Sequence, residues 1–339
     1  RNKVINGSMI CSQRGTSETG VNSSGYKNAP DRWSHQITGI DAAFTVSQST
    51  DTPDGFSNSY KIDITTADTS LANTHVHFFR QKIEGQNLQD FAFGTSSAKQ
   101  LTVSFYVKTN KTGTYICELF NLGGSKQVSK TYTVSNTNWN RYTLTFPADT
   151  STAITNDNGN RFHIAFWLSA GSDYTSGTLN SSAFATSVQA NRAVGQVNLH
   201  DSTSNEWYLT GVQLEVGSVA TDFEHRSFGQ ELALCQRYFE RINVDSSEIY
   251  FFGVNQFGSG GRITHDFKVT KRAIPTMTID DADYRYYAVA GSASNGNADF
   301  SVASYNKERM QVGSNSAGAS TSFWANKVND GYIDANSEL

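Results

Sequence analysis

Charge is scarce in this chain: 27 Lys and Arg with 31 Asp and Glu make up only 17% of 339 residues, against about a quarter in ordinary globular proteins. The balance is -4 and no Lys/Arg-rich run occurs, so the long-range attraction that phosphate backbones need is missing and nucleic acid is not an expected partner. The three cysteines, Cys11, Cys117 and Cys235, lie far apart and cannot all pair. They support neither a disulfide framework nor a Cys-x-x-Cys metal site, and reduced thiols packed as small hydrophobes are expected. No apolar run approaches the roughly 18 residues of a membrane span, and the N-terminus lacks the apolar core of a signal peptide, so membrane insertion is not expected. The chain begins at Arg1 rather than Met, which reads as a processed form or a piece of a longer polypeptide.

What polarity there is comes from Ser, Thr, Asn, Gln and Gly, set beside 21 Phe and 15 Tyr. Aromatic and β-branched residues suit a half-buried pleated face, so many short strands joined by polar turns are expected: an all-β fold. The only prolines, Pro30, Pro53, Pro147 and Pro275, leave those strands largely unbroken. Alternation is clearest over residues 101–108 (LTVSFYVK), where Leu101, Val103, Phe105 and Val107 face a core and Tyr106 faces outward. Residues 162–168 (FHIAFWL) repeat it, with His163, Ala165 and Trp167 outward. Further strands are expected at 60–64, 75–83, 113–120, 129–134, 141–146 and 207–215, between turn signals at 53–55 (PDG), 123–124 (GG) and 157–159 (DNG). That rhythm suits a β-sandwich.

One helix is expected, at 227–243, because Phe228, Leu232, Cys235, Tyr238, Phe239 and Ile242 recur at spacings of three and four. Ser227 and Gln230 fit a capping box at its start, and Glu231, Arg237 and Arg241 complement its dipole. Beyond it, strand patterns return at 248–255, 262–270, 276–279, 284–290, 300–305, 309–312 and 331–333. The expected organisation is a sandwich over 1–226, a connecting amphipathic helix over 227–243 and a smaller β domain over 244–339.

Reactive constellations are few. Residues 258–261 (GSGG) lack the Lys-Ser/Thr of a phosphate-binding loop and read as a turn. His75 and His77 share a strand face and offer two nitrogens to a metal, with no third ligand in view. Asp280, Asp281 and Asp283 lack the full ligand spacing of a calcium loop. Glu118 and Glu215 are two of many carboxylates that could form a glycosidase pair by chance. No catalytic residue, cofactor or metal is therefore assigned. Carbohydrate binding needs less, an exposed aromatic with amide, carboxylate and hydroxyl groups around it. Tyr106, His163 and Trp167, with Glu118 beside them, meet that need if the two clearest strands lie in one sheet. The alternative is that the 171–203 segment, or a neighbouring subunit, covers Trp167. Trp33 and Trp139, at the starts of strands, read as plugs at the end of a core.

Four segments in order, 2–9 (NKVINGSM), 31–33 (DRW), 80–85 (RQKIEG) and 211–242 (GVQLEVGSVATDFEHRSFGQELALCQRYFERI), resemble a module of tail fibre and related virion appendage proteins of tailed bacteriophages. The resemblance covers about residues 1–242. It implies a jelly-roll sandwich similar to carbohydrate-binding modules, carried on the virion and usually a homotrimer. It also implies contact with other virion proteins, and no active site. The expectation is a non-catalytic receptor-binding protein adhering to host-surface polysaccharide. The alternatives are a purely structural virion component, such as an adaptor, nozzle or capsid fibre, and a polysaccharide depolymerase.

Overall fold

The alternation over residues 101–108 and 162–168 is realised in two long strands, and the space between their sheets is the core. The structure, a computed structural model, describes residues 1–244, 251–255, 261–279, 284–288, 296–297, 300–314, 322–327 and 331–339. Its strands begin with β1 (Ser17–Val21), β2 (Gly25–Tyr26), β3 (Trp33–Thr38), β4 (Ala43–Ser49), β5 (Ser59–Thr66) and β6 (Val76–Glu84). They continue with β7 (Leu101–Thr109), β8 (Gly113–Asn121), β9 (Lys126–Val134), β10 (Asn140–Phe146), β11 (Asn160–Ala170), β12 (Ala185–Thr186) and β13 (Glu206–Val216). A short helix α1 (Ser172–Thr175) follows β11, and α2 (Phe228–Gln236) follows β13. Hydrogen bonds order one antiparallel sheet β1-β4-β5-β13-β7-β10 and a second β12-β9-β8-β11-β6-β3-β2. The result is an all-β jelly-roll sandwich.

Side chains alternate across a strand, so every second residue of β7 and β11 enters the shared core. Phe105 of β7 meets Phe166 of β11 edge-on, ring centroids 4.9 Å apart. Phe79 of β6 stacks with Trp33 at 5.1 Å and with Tyr60 of the opposite sheet at 4.3 Å. All five rings are essentially inaccessible, and burying one such side chain stabilises the fold by about 1.5–3 kcal/mol.

The segments that carry the sequence resemblance are joined by one hydrogen-bonded seam. Asn2 Nδ2 donates to Val212 O at 3.1 Å, and Asn2 Oδ1 accepts from the Leu214 amide at 3.1 Å. The Gln81 side chain bonds the backbone of Ile5 in both directions, at 2.7 and 2.8 Å. Trp33 Nε1 donates to Asn6 O at 3.2 Å, while Asn6 Nδ2 donates to Asp31 O at 3.0 Å. Glu231 accepts from the Asn6 amide and pairs with Arg226 at 3.2 Å. At Gly7 an added Cβ would sit 2.1 Å from Val212 O, so no other residue fits that approach.

The capping box forms: the Ser227 amide donates to Gln230 Oε1 at 3.1 Å and the Gln230 amide to Ser227 Oγ at 3.4 Å. The helix is shorter than its apolar stripe implied, ending at Gln236. Residues Phe239–Val244 are instead a strand, paired antiparallel with Gly331–Asn336, and Arg241 serves Asp334 at 2.6 Å rather than a helix terminus. Tyr238, Phe239 and Ile242 fit a helical period, yet a partner strand far along the chain satisfies the same backbone groups and outweighs local propensity.

The chain divides into two compact units, Arg1–Glu231 with Leu339, and Leu232–Glu338, so the division falls within α2. The second unit contains a three-stranded sheet ordered Phe239–Val244, Gly331–Asn336, Thr276–Ile279. It also contains a seven-stranded sheet ordered Gly296–Asn297, Tyr284–Ala288, Ser322–Lys327, Phe251–Asn255, Gly261–Asp266, Arg309–Ser314, Phe300–Tyr305. Ser322–Lys327 was not expected from the sequence pattern.

Candidate functional site

The outward residues of β3, β6, β11 and β8 form a grid on the outer face of the seven-stranded sheet of the first unit. Strand register aligns Gln36 with Phe78 and Phe78 with Trp167. The next row runs Ser34, Arg80, Ala165, Glu118, and the row beyond it Lys82, His163, Phe120. Two of these rows end differently, and that difference makes the site.

At one end the grid is sealed. Trp167 is fully buried and Glu118 is 1% exposed. Arg192, from the segment after α1, reaches back over them: its Nε and Nη2 donate to the two Glu118 oxygens, each at 2.8 Å. The Trp167 indole Nε1 donates to the same carboxylate at 3.2 Å. The Arg192 guanidinium lies 5.1 Å from the Trp167 ring and 5.4 Å from the Phe120 ring. Tyr174 of α1 packs on Trp167 at 5.5 Å. Trp167 and Glu118 are therefore structural anchors, and of the two outcomes open for Trp167 the covering by the 171–203 segment is the one found.

Beside the seal the sheet stays open, as a cleft of ≈ 290 Å³. Its floor and walls include Gln36, Phe78, Arg80, Phe120, His163 and Tyr174. Phe120 and Tyr174 are partly exposed, whereas Phe78 is 5% exposed and supports Arg80, whose guanidinium lies 5.4 Å from its ring. Arg80 Nη2 donates to Gln36 Oε1 at 2.9 Å. His163 keeps the place its strand face implied, with Nε2 2.8 Å from Asn160 Nδ2. Burial first, then the positive charges of Arg80, Lys82 and Arg192, hold its pKa well below the usual imidazole value, so it is neutral at pH 7. Partly exposed rings beside planar hydrogen-bonding side chains can take the C–H face of a sugar ring and bind its hydroxyls.

Tyr106 does not join this group. β7 and β11 lie in opposite sheets whose inward residues meet in the core, so their outward residues point to opposite sides of the sandwich. Tyr106 packs instead against Phe56 at 5.3 Å, where Gly211, at φ +64, leaves room: a Cβ there would fall 2.8 Å from the Tyr106 ring. The same outer face carries a second hollow, of ≈ 390 Å³, lined by Lys108, Asn110, Asn138, Trp139, Glu206 and Tyr208. Trp139 is a partly exposed wall of this hollow and not a core plug; Trp33 does lie in the core. The charges here are closed on one another. Asp51 accepts from Trp139 Nε1 at 2.9 Å and Lys108 at 2.5 Å, while Glu206 accepts from Lys61 at 2.6 Å and the Tyr208 hydroxyl at 2.8 Å.

His75 and His77 face the interior, where an imidazole chain runs through the core. His77 Nε2 lies 2.8 Å from His35 Nδ1, His77 Nδ1 lies 2.8 Å from His200 Nε2, and His35 Nε2 lies 2.5 Å from the Tyr60 hydroxyl. His75 faces Asp68 at 3.3 Å. Among the described residues no three His, Cys, Asp or Glu side chains are disposed to hold a metal ion. Residues 280–283, with the three aspartates, lie outside the described residues, as does most of 258–261. Glu118 and Glu215 stand on opposite sheets, and Glu215 accepts from Gln213 and Thr221. Phe78, Arg80 and Phe120 were not among the candidate site residues of the sequence, although each lies in a strand expected there, at 75–83 or 113–120, and Arg80 opens the 80–85 segment of the resemblance.

No family model and no curated protein matches the chain. Among solved structures it is similar to the family 11 carbohydrate-binding module from Clostridium thermocellum in complex with a β-1,3-1,4-mixed-linked tetrasaccharide, at 12% identity and TM-score 0.29, covering 62% of this chain and 99% of that one. TmCBM61 in complex with β-1,4-galactotriose is similar at 9% identity and TM-score 0.30, covering 64% and 99%. A family 30 carbohydrate-binding module is similar at 9% and 0.29, covering 60% and 97%. These are likenesses of fold alone.

Proposed function

We propose that the first unit binds carbohydrate without catalysis, through the cleft over β3, β6, β11 and β8. The observation that carries this reading is the pairing of partly exposed rings, Phe120 and Tyr174, with Arg80, Gln36 and His163 in one open cleft that neither the core nor the covering segment fills. No carboxylate lines that cleft among the described residues, and Glu118 is already bound to Arg192 and Trp167, which supports binding over glycoside hydrolysis. The sequence resemblance supports a finer reading, a receptor-binding protein of a tailed-phage appendage that adheres to host-surface polysaccharide. Exposed Val216, Val219 and Phe228 favour further contact with protein, in a homotrimer or with other virion proteins. In a trimer, shallow sites would gain avidity by repetition.

A glycan array followed by calorimetry on the full chain tests the binding. Phe120→Ala should weaken saccharide binding by about tenfold or more with the fold intact, as expected for loss of a stacking ring. An array on which no saccharide binds would overturn the proposal and favour the structural virion role. Light scattering that gives a monomer at micromolar concentration would remove the trimer.

A further inference from the structure

Among the described residues, the Arg80 cation of the cleft forms no direct ion pair. Arg80 makes one hydrogen bond to a protein acceptor, the neutral Gln36 Oε1, and its Nε is buried with no hydrogen-bond partner. Glu118, the carboxylate aligned in its row, is bound to Arg192 through both oxygens. Arg192 and Glu118 oppose each other, so the positive charge of Arg80 is left over in a cleft that no carboxylate lines among the described residues. A guanidinium in that position is incompletely satisfied, and charge-assisted hydrogen bonds to an oxyanion are among the strongest it can make.

We propose that the cleft selects acidic saccharides, with the terminal nitrogens of Arg80 receiving an oxyanion carried on the sugar ring while Phe120 and Tyr174 hold the ring itself. This rests on the carbohydrate reading above and adds the class of sugar. The chain as a whole carries a charge of -4, so selection is local, from one uncompensated guanidinium over an apolar floor, and not from attraction at a distance. His163 reports on the same field. Arg80, Lys82 and Arg192 all act to keep it deprotonated, so an anion seated beside Arg80 should raise its pKa and a neutral sugar should not.

The test uses the full chain and a panel of uronic-acid-containing bacterial polysaccharides, each beside its carboxyl-reduced form, with dextran sulfate and a single-stranded DNA as further polyanions. The acidic forms should bind about tenfold or more tighter than their reduced counterparts. Arg80→Gln should abolish that difference, weakening the acidic forms about tenfold more than the reduced ones, and Arg80→Lys should keep part of it. The His163 ring signals, followed by NMR, should shift their titration upward only with the acidic ligand. Preference for dextran sulfate over uronates, lost in Arg80→Gln and in Phe120→Ala, would support the inference and assign the anion as a sulfate ester. Equal affinity for acidic and reduced forms, with Phe120→Ala weakening both, would overturn the acidic selection and leave carbohydrate binding standing. Binding of DNA and dextran sulfate alone, unaffected by Phe120→Ala, would overturn both. Should Arg80→Gln fail to fold, the ratio of acidic to reduced affinity in Arg80→Lys and the His163 titration in the parent chain still decide the matter.

Discussion

The two outer faces of the sandwich each carry a hollow edged by aromatic rings, and they handle charge in opposite ways. On the six-stranded face Lys108 meets Asp51 and Lys61 meets Glu206, so the hollow beside Trp139 is a closed set of ion pairs. On the seven-stranded face Arg192 and Glu118 close a similar pair, but Arg80 stands outside it. Aromatic surface alone does not distinguish the two hollows; the unspent donors of one guanidinium do. A polar group already satisfied within the protein has little to offer a ligand, because binding would only exchange one partner for another.

Acid is the strongest way to break both faces at once, since the sheets share a core threaded by imidazoles. Burial, then the charges of Lys27 and His200, lowers His35 from 6.5 to about 3, and burial with His75 lowers His200 to about 3. His77 is pushed well down by burial and by its three histidine neighbours. In the unfolded chain these groups return to about 6.5, so below that pH the unfolded state takes up more protons than the folded one. The stabilisation from neutral imidazoles is complete above pH 6.5 and is lost as the pH falls toward 3. Urea unfolding should show a loss of roughly 3 kcal/mol or more between pH 7 and pH 4. A flat profile over that range would mean that the imidazole chain is open to water in solution.

The seal at Arg192 gives the next largest effect. Arg192→Met leaves the Glu118 carboxylate buried without its cation, at a cost of about 3 kcal/mol or more in denaturant unfolding. Saccharide affinity should fall in the same variant, because Arg192 and Tyr174 form one wall of the cleft. An unchanged midpoint would show that other contacts hold the 171–199 segment down. The smallest effect sharpens the comparison from the other side. Trp139→Ala should leave saccharide affinity unchanged and alter stability by about 1 kcal/mol, and a loss of binding comparable to that of Phe120→Ala would erase the distinction between the faces.

Alternation revealed which residues of 101–108 and 162–168 face inward, and those assignments agree with the core. It carried no information about which sheet each strand joins, because inward residues of both sheets meet in the same space. That is why Tyr106 was grouped with His163 and Trp167 although it lies on the far side. The fate of Trp167 depended on a polar segment without periodicity, whose docking rests on Arg192 meeting the buried Glu118, on β12 pairing with β9 and on Phe184 entering the core. The end of α2 was similarly illegible, since its apolar spacing also suits a strand once a partner is supplied by residues 331–336. His163 is the one candidate that lines the cleft, while Phe120 and Arg80 lay in expected strands whose faces the local pattern did not assign.

The way Arg192 is fastened has a consequence for how such a protein can diversify. The floor of the cleft comes from strands whose alternate residues build the core, so each change there is felt by the fold. The wall is tied to the sheet by the Arg192–Glu118 joint, by Tyr174 on Trp167, by β12 against β9 and by Phe184 in the core, and between these ties residues 176–178 and 181–183 are small and mostly at the surface. Surface loops tolerate insertions at small thermodynamic cost. Lengthening either stretch between these ties would reshape the mouth of the cleft while every core residue, Phe184 included, stays in place, so ligand range can drift from one descendant to the next on an unchanged scaffold.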